Sequence, residues 1–199
     1  RGRGCKHLVI MEQKLSFKAK LCRFILTKVM GWKTTPPPTV PKCILIGVPH
    51  TSMFDFVVSY LYYKSYDMET HVMIKKALFW WPLGAILRGL GAIPVDVKTN
   101  ASMVRSVIQE MNDKEHFHLA LAPEGTRAPV KRWKKGYHLI AKAVDCPVML
   151  AYFDWGTKRV GISQEMTLTD DANADTARMQ QIYEDMHLVG KHPEKYITH

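Results

Sequence analysis

Apolar and polar positions along this chain fall into short blocks that predict strands and helices in turn. Cys43-Ile44-Leu45-Ile46-Gly47-Val48 is an unbroken apolar run, the pattern of a strand buried on both faces. A helix near 53–65 follows it. A strand at 71–75 leads to a helical apolar stretch at 77–90. A strand at 92–95 leads to a helix at 100–113, capped by Thr99 or Asn100, whose Met103, Val107, Ile108 and Met111 recur at helical spacing. Phe117 to Ala122 is a further strand, and a helix at 136–144 comes after its loop. Strands at 147–153 and 158–163 join at Trp155-Gly156-Thr157, and a last helix covers 173–188. Strands alternating with helices predict an α/β fold, with a mostly parallel central sheet covered by helices.

The first forty residues break this rhythm. A helix at 14–31 is predicted, with Ser16, Lys20, Arg23 and Thr27 on one face and Phe17, Leu21, Phe24, Ile25, Val29 and Trp32 on the other. Thr34-Thr35-Pro36-Pro37-Pro38 then forms a stiff, extended linker. The chain thus divides into an N-terminal basic arm, amphipathic helix and linker at 1–41 and a domain at 42–199. Met11 is a candidate natural start, so residues 1–10 stay outside the fold reading.

Charge sharpens the picture of the arm. The net charge is +10, and residues 1–33 hold nine Lys or Arg against Glu12 alone. A basic arm suits nucleic acid or an anionic membrane. It lacks interleaved aromatics in a nucleic-acid pattern and any nucleic-acid motif, so no nucleic acid is expected. Its apolar face fits a helix lying in a membrane interface, although packing on its own domain would account for the same pattern. Ala77 to Val95 is too broken by Arg88, Pro82, Pro94 and three glycines to span a bilayer. Within it, Phe79-Trp80-Trp81-Pro82-Leu83 suits a membrane interface, an acyl groove or plain core packing. Charge interrupts the N-terminal apolar run every few residues, so no secretory signal is expected.

Hydrophobic content of 47% is ordinary for a globular protein. Four cysteines (Cys5, Cys22, Cys43, Cys146) show no metal-ligand spacing, so no metal site is expected. Cys43 and Cys146 in apolar strands suggest reduced core thiols and a cytoplasmic protein.

Candidate chemistry lies at two strand ends. Pro49 stops the first strand, and His50-Thr51-Ser52-Met53-Phe54-Asp55 follows. Thr51 and Ser52 are good helix caps, and Asp55 falls in the first helical turn. An imidazole and a carboxylate paired at a strand-to-helix turn can take a proton from a hydroxyl group. A satisfied histidine at a strand end would look the same locally. Pro123 ends the 117–122 strand, and Glu124-Gly125-Thr126-Arg127 follows, with a turn-forming glycine and a phosphate-suited arginine. Together these point to acyl transfer onto a phosphorylated alcohol.

At this point the chain resembles the lysophospholipid acyltransferases, the glycerolphosphate and 1-acylglycerol-3-phosphate acyltransferase superfamily. Its H-x4-D block is matched by His50 to Asp55, its E-G-T-R block by Glu124 to Arg127, and its late proline by Pro147. Weaker blocks lie between: Lys75-Lys76-Ala77-Leu78-Phe79, where Ala77 replaces a usual glutamate, and Gly91-Ala92-Ile93-Pro94-Val95-Asp96. Val97 stands where the family has arginine, leaving Lys98 as the nearest cation.

The resemblance implies an O-acyltransferase of phospholipid biosynthesis. His50 would be the general base and Asp55 its orienting partner, with Lys75 or a backbone N–H at the thioester oxyanion. Arg127 would hold the acceptor phosphate, supported by Lys98. Glu124 would orient Arg127 or an acceptor hydroxyl, and Ser52, Gly125 and Thr126 would complete the substrate site. The expected partners are a lysophospholipid or glycerol-phosphate acceptor, acyl-CoA or acyl carrier protein as co-substrate, and an anionic membrane. No further cofactor is expected, and the protein would sit peripherally on the inner membrane face. Lys131, Arg132, Lys134 and Lys135, just after E-G-T-R, would suit a phosphate-rich or acidic donor. A thioester hydrolase using the same dyad on water, or a binding module without chemistry, are the competing readings.

Overall fold

A computed structural model of the chain describes residues 15–95 and 100–197, with the side chains of Lys75 and Asn100 left aside. Asp96, Val97, Lys98 and Thr99, together with residues 1–14 of the arm, lie outside the described residues. The strands are Lys33–Thr34 (β1), Lys42–Val48 (β2), His71–Lys75 (β3), Ala92–Val95 (β4), Phe117–Leu121 (β5), Val148–Asp154 (β6) and Arg159–Met166 (β7). The helices are Phe17–Phe24 (α1), Phe54–Lys64 (α2), Leu83–Gly89 (α3), Asn100–Asn112 (α4), Gly136–Val144 (α5) and Ala172–Asp185 (α6).

Among the described residues the strands form one sheet of order β1-β7-β6-β2-β5-β3-β4. It is parallel except for the β6–β7 pair, as the alternating pattern predicts. The central strand β2 shows why its sequence is apolar throughout. Ile44, Ile46 and Val48 point to one face, where they meet Val107 and Met111 of α4, Tyr137 and Ile140 of α5, and Met179 and Tyr183 of α6. Cys43 and Leu45 point to the other, where they meet Val58, Tyr62 and Tyr63 of α2 and Leu26 and Trp32 of the arm. A strand covered on both faces has no polar side to show, because successive side chains alternate across the sheet. Cys22 and Cys43 are buried free thiols, and Cys146 is half-buried and free.

The chain order places the site. After β2 the chain crosses to β3 by way of α2, on one face of the sheet. After β5 it crosses to β6 by way of α5, on the other face. The two connections leave in opposite directions, so the carboxyl ends of β2 and β5 flank an open crevice. Such a switch point is where ligands bind in open α/β sheets.

Three elements depart from the sequence expectation. The apolar stretch at 77–90 is not one helix: a 3-10 turn at Lys76–Leu78 precedes α3, because Pro82, at the N-cap of α3, has no N–H with which to continue a helix. The N-terminal helix is α-helical only over α1 and continues as a π-helical segment at Ile25–Val29. Its buried face is Ala19, Cys22 and Leu26, while Phe17, Leu21, Phe24 and Val29 are exposed. Trp32, grouped with those exposed apolars by spacing, is instead buried, edge-on to Trp155 with ring centroids 4.9 Å apart. The linker also begins earlier as structure: Thr34 belongs to β1, which pairs with β7 through Lys33↔Arg159 and Thr34↔Val160.

Candidate active site

His50 follows β2 directly, and its side chain is partly exposed. Its Nδ1 lies 3.3 Å from Asp55 Oδ2, and the Asp55 side chain is 1% exposed. Burial of a carboxylate is costly unless its oxygens are satisfied. Here Oδ2 also accepts the backbone N–H groups of Thr51 at 2.9 Å and Ser52 at 2.8 Å. Oδ1 accepts the indole N–H of Trp155 at 2.8 Å. Asp55 therefore reaches back from the first turn of α2 to close its own entry loop, as a capping carboxylate does.

This corrects the expected cap. Met53 holds the cap position without a side-chain hydrogen bond. Thr51 does not cap the helix. Ser52 Oγ accepts the N–H of Phe54 at 3.2 Å, a local bond from a buried hydroxyl.

Glu124 ties the second motif to the first. Its carboxylate accepts the backbone N–H of His50, at 3.1 Å to Oε1 and 3.2 Å to Oε2. The expectation was a contact to Arg127 or to an acceptor hydroxyl; in the structure the carboxylate turns to His50. Burial pushes its pKa up to about 7, nearby Asp55 adds to the rise, and the His50 amide and ring oppose it.

The remaining E-G-T-R residues shape the loop. Gly125 takes φ +65°, and a Cβ there would come within 2.6 Å of Lys134 Cε, which lies across it. Lys134 N–H donates to the Pro123 carbonyl at 2.8 Å and closes the loop at its base. Thr126 Oγ1 accepts the Ala128 N–H at 3.2 Å. Arg127 is exposed and has no hydrogen bond or ion pair among the described residues, which leaves its guanidinium open to an anion.

The structure thus brings His50, Asp55 and Glu124 into contact and sets Arg127 on the same loop as Glu124. Lys75 ends β3 at the same end of the sheet, opposite Val95. Its side chain, like Lys98, lies outside what is described. Sequence reading missed Trp155, which lies in the β6–β7 turn. No spacing signal links it to Asp55, because the two are 100 residues apart. Among the described residues no helix is long and apolar enough to cross a membrane.

A sheet with a base pair and a cationic loop at its switch point has the makings of a transferase site, and comparison with known proteins agrees. Residues 35–152, more than half of the chain, match the acyltransferase family model, and the chain belongs to that family. The fold is similar to that of the 1-acyl-sn-glycerophosphate (LPA) acyltransferase PlsC from Thermotoga maritima, with a TM-score of 0.57 and 16% identity over 84% of this chain and 77% of that one. At that identity the likeness speaks for the fold. A search of curated protein sequences returns no significant match.

Proposed function

We propose that the protein moves a fatty acyl group from an acyl thioester, acyl-CoA or acyl carrier protein, to the hydroxyl of a glycerol-phosphate acceptor such as lysophosphatidic acid. The observation that carries this reading is the Glu124–His50 bond, which sets the His50–Asp55 pair beside the loop bearing Arg127. With Nδ1 turned to Asp55, Nε2 of His50 is left for substrate. The acceptor hydroxyl gives its proton to Nε2 as its oxygen attacks the thioester carbonyl. The tetrahedral intermediate expels the thiolate, which recovers that proton from the imidazolium. Asp55 holds the Nδ1–H tautomer and favours the transient cation, as the acid of a Ser-His-Asp triad does. No protein nucleophile is required, because the acceptor supplies one.

Arg127 is assigned the acceptor phosphate, with Lys98 as support and Lys75 at the oxyanion. The exposed Lys131, Arg132 and Lys134 suit the phosphates of coenzyme A or the acidic surface of a carrier protein. Mass spectrometry of products from a panel of lyso-lipid acceptors, with each donor, tests the reaction: thioester loss without an acylated acceptor would make the protein a hydrolase. Arg127→Ala should raise the acceptor KM about 10- to 100-fold, the worth of a hydrogen bond to a charged group, with kcat changed less. An unchanged KM removes the phosphate role.

The same reading puts the protein at the cytoplasmic surface of an anionic membrane. Phe17, Leu21, Phe24 and Val29 are exposed on the arm among Lys18, Lys20 and Lys28, and Trp80, Trp81 and Ile86 are exposed around α3. An apolar stripe flanked by cations suits the headgroup boundary. Phe17→Ser with Phe24→Ser should lower the partition coefficient onto anionic vesicles, read by co-sedimentation, by about 10²- to 10³-fold, since each ring removed forfeits about 2 kcal/mol of burial. Equal sedimentation of both proteins would end the membrane assignment.

A further inference from the structure

Trp155 and the segment after α6 lie beyond the part of the chain that matches the family model, yet both close on the His50–Asp55 loop. The indole N–H of Trp155 is the sole donor to Asp55 Oδ1 among the described residues, at 2.8 Å. Trp155 is itself held from several sides. Its backbone N–H donates to the Val189 carbonyl at 2.8 Å. Its ring meets Trp32 edge-on at 4.9 Å. Lys191 Nζ lies 4.7 Å from the centroid of its ring and 3.5 Å from that of Phe54, the residue before Asp55.

The strap around Lys191 also grips the front of the loop. His192 N–H donates to Thr51 Oγ1 at 3.2 Å. At Gly190 a Cβ would meet the Thr51 side chain at 2.8 Å, so the strap's backbone lies directly against that side chain. One short segment therefore touches Thr51, Phe54 and Trp155, which surround the carboxylate.

We infer that Trp155 is a positioning residue for the base: its indole N–H fixes the Asp55 carboxylate through Oδ1, and the Val189–His192 strap fixes Trp155. This rests on the reading of His50 and Asp55 as the acid–base pair. Two backbone donors hold Oδ2 near His50, but a carboxylate pinned through one oxygen can still rotate about that anchor. The indole N–H on Oδ1 removes that freedom and keeps Oδ2 aimed at Nδ1. Positioning errors well under the length of a bond are enough to slow a proton transfer.

The test is Trp155→Phe, which keeps a ring against Trp32 and Lys191 and deletes the donor. With an acyl-CoA and lysophosphatidic acid as substrates, kcat should fall about tenfold, the worth of one charged hydrogen bond, with both KM values within about twofold. The 15N shifts of the His50 ring should report a smaller fraction of the Nδ1–H tautomer. In an Asp55→Asn background the same change should cost no further activity, whereas an equal loss in both backgrounds marks a merely structural role and overturns the proposal. Should Trp155→Phe fail to fold, Lys191→Met loosens the strap while leaving the Trp32 contact. An unchanged tautomer and kcat in that chain overturn the proposal as well. A His50→Ala protein that still turns over defeats the acid–base reading beneath it. An inactive His50→Ala beside a fully active Trp155→Phe defeats the role of Trp155 alone.

Discussion

His50→Ala should yield a folded protein whose acyl transfer is slower by about 10³-fold, the middle of the range for a lost general base. Two features separate the chemistry from the fold here. The imidazole is 28% exposed and its contact to Asp55 is 3.3 Å, so its removal opens no sealed cavity. The structural bond at this position runs from the backbone N–H to Glu124, and alanine keeps it. The melting temperature should therefore stay within a few degrees while thiol release from an acyl-CoA collapses. Thiol release at the parental rate would refute His50 as base.

Asp55→Asn should hit activity and stability together. The parent carboxylate accepts from Thr51, Ser52 and Trp155 and has no proton of its own to place. An amide fits the same volume but must turn its NH2 toward one of these donors or toward His50. Each buried donor left unpaired costs about 1–3 kcal/mol. For a chain of this size that is a fall in melting temperature of roughly 2–12 °C. Turnover should drop as well, about 10²- to 10³-fold and no further than in His50→Ala, because the amide no longer selects the Nδ1–H tautomer of His50. The checks are a thermal melt and a single-turnover assay; a loss of less than tenfold in turnover would mean that His50 does not depend on this acid.

Much of this site was legible in the sequence, for local reasons. The apolar run of β2, its stop at Pro49 and the helical spacing after Asp55 are all set by near neighbours, so the strand-turn-helix around His50 could be read directly. Alternation of strands and helices also predicted the parallel sheet. Less legible was anything decided by distant packing. The arm is the clearest case: spacing put Trp32 on one apolar face with Phe17, Leu21 and Phe24, but the core takes Trp32 with Ala19, Cys22 and Leu26 and leaves the other three exposed. Glu124 was recognised as part of the site, but its partner is fixed by the pairing of β2 with β5 rather than by its neighbours in the chain. Trp155 carried no signal, since an indole in a turn shows nothing of the acid it faces across the sheet.

The register between β2 and β5, with Ile46 opposite Leu121, brings together motifs that the chain separates by α2, β3, α3, β4 and α4. That whole excursion leaves the sheet centre on one side and returns beside its own starting point. Away from the first turn of α2 and the end of β3, its length can therefore drift without moving His50 against Glu124, which are spaced by a ladder of amides. Enzymes descended from a common ancestor could lengthen, trim or re-pocket this excursion to take new lipids, while the proton-handling machinery stayed still.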